Sequence, residues 1–223
     1  MEGALVVVAA LLAGCDTEIG WPGGTGVGNP GSTSVQSRLA GDVYIEEGFA
    51  DLDQLEVVRC PPEDAQVTDI GREIDLLGDG PFAVAGGEWC TVALAFSSPL
   101  VYRGLSEPSS DPNKGSFELI LDVGRIEMPA ASGVVVDGGA YVIELGRAHW
   151  LEKDRLGGLE DGTHVTVDET HPLYADLVDA IAFGSAVFRD ADANGILDAT
   201  ERLTPLAAGP DWTSGGGDDD DDR

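Results

Sequence analysis

The sequence predicts a mainly β protein: an antiparallel β-sandwich-like domain followed by one amphipathic helix near the C-terminus. Short segments alternate apolar and polar residues with a period of two. Clusters rich in Gly, Pro and Asp, such as "DPNKG" and "VDGG", punctuate them as turns. No helical pattern of crossover length lies between the strands, which favours antiparallel pairing. Many short strands with one polar face suit a sandwich or barrel.

The candidate strands follow in chain order. Shorter ones cover 42–46, 54–60 and 82–85. In "CTVALAF" Cys90, Val92, Leu94 and Phe96 share a face, which would bury the Cys90 sulfur. In "SFELILDV" Phe117, Leu119, Leu121 and Val123 face one way, and Ser116, Glu118 and Asp122 the other. Two more short segments cover 134–137 and 164–167. In "YVIEL" Tyr141, Ile143 and Leu145 alternate against Glu144. After His171 the period changes. Pro172 suits a first helical turn, and Leu173, Tyr174, Leu177, Val178 and Ile181 form one apolar stripe opposite Asp176 and Asp179. That helix is amphipathic enough to pack on a sheet but too polar to enter a membrane.

The ends differ from this middle. Residues 4–12 are apolar, too short a run for a permanent membrane span, and small residues and a cysteine follow. Leu12-Ala13-Gly14-Cys15 resembles the lipobox of bacterial lipoproteins, although Glu2 stands where a basic residue usually precedes the apolar run. The resemblance implies that 1–14 is a signal peptide and that Cys15 is lipidated. Residues 15–36 would then be a flexible Gly/Pro/Ser tether. It contains a formal G-x-G-x-x-G, Gly26 to Gly31, but without the flanking strand and helix a nucleotide loop requires. With Cys15 acylated, Cys60 and Cys90 remain as a pair able to oxidise outside the cytoplasm; two separate buried thiols are the alternative. Residues 37–170 form the β domain and 171–209 the helix with the loop described next. Residues 210–223, ending in five aspartates, read as a disordered acidic tail.

Forty-one acidic side chains against twelve basic ones give a net charge of −29. That field repels nucleic acid and anionic lipid headgroups, so neither is an expected partner, and it attracts divalent cations. One segment concentrates this chemistry. In "FRDADANGILDATE", Asp190, Asp192 and Asn194 occupy positions 1, 3 and 5 of a twelve-residue loop, with Gly195 at position 6 and Glu201 at position 12. Calcium takes six to eight hard oxygens, and a tight loop turns alternate side chains inward around a glycine bend. The Ile196 carbonyl and Asp198 would complete the set. The segment is similar to the single calcium loops of extracellular bacterial modules, of the EF-hand or dockerin type. The resemblance implies structural calcium held at the weak affinities that suffice outside cells.

No G-x-S-x-G, H-E-x-x-H or Walker loop occurs. His164 and His171 flank Asp168 in "HVTVDETH", which leaves an extracytoplasmic metal-dependent hydrolase as the alternative function. The favoured expectation is an exported, lipid-anchored protein of the cell envelope, on its periplasmic or outer-surface face. It would be a non-catalytic binding or structural module, stabilised by one calcium ion, with a protein or glycan ligand left unspecified.

Overall fold

The computed structural model describes residues 30–38, 41–60, 65–78 and 81–212. Twelve strands and one α-helix lie within them: β1 (Gly31–Ser37), β2 (Tyr44–Arg59), β3 (Gln66–Asp75), β4 (Phe82–Val84), β5 (Gly87–Phe96), β6 (Leu100–Leu105), β7 (Ser116–Leu121), β8 (Arg125–Val136), β9 (Ala140–Leu145), β10 (His164–Val167), α1 (Tyr174–Ala182), β11 (Ala186–Asp190) and β12 (Ala207–Ala208). The segment read as a signal peptide, Cys15 and the aspartate run lie outside the described residues.

Two sheets face each other, as the alternating pattern predicts. The larger runs β10-β7-β6-β2-β5-β8, with β3 on β2. Here β2 pairs first with β6 and then with β5, while β6 and β5 pair in turn with β7 and β8. Each of these long paths breaks at a similar level: a bulge between Leu52 and Gln54, the bend at Ser97–Ser98, and residues 122–124. The Ser97 amide donates to the Asp51 carbonyl, and the Phe96 amide donates to the Gly124 carbonyl. The aligned breaks let the sheet curl, since bulges bend strands and raise their twist. The smaller sheet runs β12-β11-β9-β1-β4.

The core lies between the sheets. Phe117, Leu119 and Leu121 from β7 and Tyr141, Ile143 and Leu145 from β9 are all buried in it. Aromatic pairs knit it together, Tyr102 with Trp150 at 5.2 Å between centroids and Trp89 with Tyr141 at 6.2 Å. The Tyr102 hydroxyl also reaches across the sheets to Ser37 Oγ at 2.5 Å. Helix α1 buries Leu177 and Ile181, as its stripe predicts, with Leu173, Tyr174 and Val178 packed at the margin. It starts two residues past Pro172: the His171 ring accepts a bond from the Leu173 amide in the turn before it. The helix ends where Gly184 leaves no room for a Cβ, which would stand 2.4 Å from the Ala180 carbonyl oxygen and 2.5 Å from the Arg147 nitrogen.

Three features depart from the sequence reading. Two strand pairs are parallel, β1 with β9 and β10 with β7. The crossover requirement applies to the chain between partners, and here that chain is built largely of other strands instead of a helix. Second, β1 begins within the segment read as tether. Its composition is polar, but its position between β4 and β9 buries Thr33, Ser34 and Val35. Third, a register shift between Trp89 and Thr91 turns Trp89 into the core and leaves Cys90 half-buried, not sealed among Val92, Leu94 and Phe96. Cys90 is bonded to Cys60, with Cα atoms 5.0 Å apart, stapling the end of β2 to β5.

Candidate metal centre

Strand β9 is central in its sheet and buried on both faces. Tyr141, Ile143 and Leu145 face the sandwich core, whereas Val142 belongs to a second, smaller cluster with Ala186, Phe188 and Leu197. Ala208 and Trp212 pack against that cluster. The chain after β11 therefore folds back over the outer face of the smaller sheet. Asp211 and Trp212, read as part of a tail, are still tied to the fold by backbone bonds. The Asp211 amide donates to the Phe183 carbonyl, and the Trp212 amide to the Gly209 carbonyl.

This cover carries the acidic loop. Asp190 ends β11 and is 4 % exposed, so its carboxylate is presented from a rigid strand. Asp192 and Glu201 bring ligand oxygens to it, all three lying within 4.8 Å of one another. Backbone donors set this geometry. The Gly195 amide donates to Asp190 Oδ2 at 2.7 Å. The Ala191 and Asp198 amides donate to the two oxygens of Glu201, at 2.7 and 2.9 Å, so one carboxylate ties the start of the loop to its end. Gly195 takes φ +79°, a left-handed conformation that glycine adopts without Cβ strain. Leu197 is 2 % exposed and pins the loop to Phe188 and Val142.

Of the six residues expected to bind metal, the structure gathers Asp190, Asp192 and Glu201 into one group. Asn194 adjoins them, donating from Nδ2 to Asp192 Oδ2 at 2.8 Å, while its Oδ1 accepts from the Ile196 amide. Asp198 instead accepts from the Thr200 and Glu201 amides and shapes the turn into Glu201. The Ile196 side chain points to solvent. Three carboxylates around one point repel one another unless a cation or hydrogen-bond donors intervene. The triad could hold a metal ion, and all-oxygen donors suit hard divalent cations.

A buried ion network, not found by motif reading, lies behind the loop. Arg202, next in sequence to Glu201, donates to Glu144 from Nε at 3.0 Å and Nη2 at 2.8 Å. Arg38, at the end of β1, stands 3.7 Å from the same carboxylate, which is 2 % exposed. Burial lowers the Arg38 pKa from its ordinary value; Glu144 acts to raise it and Arg202 to lower it. A lone glutamate amid "YVIEL", with an arginine directly after the loop, was the available signal.

The histidine region does not assemble comparably. His164 Nδ1 lies 2.9 Å from Ser116 Oγ on the neighbouring strand. Asp168 instead caps its own turn, accepting from the Thr170 amide and hydroxyl. The hydroxyl bond first, then the amide bond, holds the Asp168 pKa below its ordinary value. Among the described residues, His164, Asp168 and His171 form no metal-capable group. No helix among the described residues is long and apolar enough to cross a membrane. No protein-family model, curated protein or solved structure matches the chain.

Proposed function

We propose that this chain is an exported, lipid-anchored protein of the cell envelope, a non-catalytic binding or structural module whose C-terminal cover is held by one calcium ion. The observation that carries the calcium reading is the convergence of Asp190, Asp192 and Glu201 oxygens within 4.8 Å on a loop. That loop has acidic or amide residues at positions 1, 3 and 5, glycine at 6 and glutamate at 12. Asn194, the Ile196 carbonyl and Asp198, directly or through water, would complete the shell. The ion's chemistry is structural: it neutralises clustered carboxylates and fixes the loop against the smaller sheet. The Cys60–Cys90 bond supports export, because disulfides persist in oxidising compartments. Lipidation rests on Leu12-Ala13-Gly14-Cys15.

The reading is tested by thermal unfolding in millimolar calcium and in chelator, for the wild type and Asp190→Ala. Calcium raises the midpoint of the wild type only; an identical wild-type curve in chelator sinks the calcium reading. Metabolic labelling with palmitate, with and without Cys15→Ala, tests the anchor independently.

A further inference from the structure

The acidic loop and strand β1 are far apart in sequence, but one buried carboxylate touches the supports of both. Glu144 sits mid-sheet on β9, in register with Gln36 of β1 on one side and Ala186 of β11 on the other. From the loop side Arg202 grips it with two nitrogens, and Arg202 is the residue after Glu201, one of the three clustered carboxylates. From the other side Arg38 approaches it, and Arg38 also donates its backbone amide to the Leu145 carbonyl at 2.8 Å. A carboxylate so fully desolvated interacts strongly with whichever cation is in place, because the surrounding dielectric is low. A shift of Arg202 therefore changes the field that Arg38 and the end of β1 experience.

From this we infer that Glu144 is a positioning residue coupling the loop to β1, so that cation binding at the loop and docking of β1 reinforce each other. The inference rests on the calcium reading above. Its direction follows from geometry. Calcium would fix Glu201, which fixes Arg202 over Glu144, which holds the Arg38 end of β1. By linkage the effect is reciprocal: loosening the Glu144 clamp weakens cation binding at a loop Glu144 does not touch.

Calcium titration by calorimetry on the full chain tests this, comparing wild type with Glu144→Gln at a temperature where both are folded by circular dichroism. Gln keeps the shape and removes the charge. The expected result is about a tenfold loss of affinity, within the usual range of coupling between sites. A purely structural role would lower the melting point and leave the affinity of the folded protein unchanged. Hydrogen exchange gives the second readout: calcium slows the amides of Val35 and Gln36 in the wild type and not in the variant. Should Glu144→Gln not fold, Arg202→Met, at a side chain 26 % exposed, replaces it in both measurements. Equal affinity in wild type and variant, or β1 amides indifferent to calcium, overturns the coupling and leaves the calcium reading standing. A wild type that does not bind calcium ends both.

Discussion

The rings of Phe188 and Trp212 pack with their centroids 5.9 Å apart, closing the cluster on the outer face of the smaller sheet. Phe188 lies two residues before Asp190 on β11, so this contact stiffens the strand that presents the most buried loop carboxylate. Trp212→Ala should therefore destabilise the fold by about 2 kcal/mol, below the cost of a fully buried aromatic because the indole is partly exposed. Urea unfolding measures it. A change within error would mean that the cover contributes nothing to stability.

How far the sequence anticipated this arrangement depends on whether the signal was local. The clustering of Asp190, Asp192 and Glu201 was legible because these carboxylates lie within one short acidic segment bent around Gly195. The strands of β5, β7 and β9 were legible from alternation. The second burying face of β9 was not, because what covers it, Leu197, Arg202 and Trp212, comes from a segment that follows only after β10, α1 and β11. The polar β1 was hidden for the same reason: its place between two strands, not its composition, buries it. Cys90 misled because alternation cannot register a bulge.

The Tyr102 hydroxyl is wholly buried, and burial pushes its pKa above the ordinary tyrosine value, with the Ser37 bond opposing part of that rise. A group whose folded pKa is raised favours the fold below its unfolded pKa, about 10 for tyrosine. That contribution is lost progressively as pH rises above this value toward the raised one. Stability should fall on the alkaline side above about pH 10. Tyr102→Phe should flatten this limb while costing about 1 kcal/mol at neutral pH for the lost cross-sheet bond. Urea melts at stepped alkaline pH check it; an equal alkaline slope in the variant would remove Tyr102 as the cause.

Cys60 and Cys90 are 30 residues apart in sequence, so their bond constrains a moderate loop of the unfolded chain. Reduction should cost roughly 3–4 kcal/mol in the chain-entropy account. The same corner is sensitive to Gly133, which has φ +73° and where a Cβ would stand 2.7 Å from Glu88 Oε1 and 3.2 Å from Cys60 Sγ. Gly133→Ala should therefore destabilise the oxidised protein as well. Chemical unfolding with and without reductant measures both effects, and coincident curves would mean that the staple contributes no stability.

With 41 acidic and 12 basic side chains, any salt should stabilise this chain somewhat by screening self-repulsion, so a response to calcium alone does not establish a site. The two effects separate by ion and by variant. Sodium chloride at matched ionic strength acts on the whole surface and should raise the wild type and Asp190→Ala equally. Magnesium prefers six close ligands and gives up its waters reluctantly, so it should act weakly on a wide loop of this type. Calcium at 10 mM should add about 1.4–2.7 kcal/mol in the wild type if its dissociation constant lies near 10⁻³–10⁻⁴ M. In a domain of this size that corresponds to roughly 3–10 °C in the melting midpoint. Asp190→Ala should lose this increment and keep the sodium response, because the substitution removes one carboxylate from the cluster and leaves the rest of the acidic surface in place. If calcium, magnesium and sodium stabilise both proteins alike, the loop is an ordinary acidic turn held by its own backbone amides.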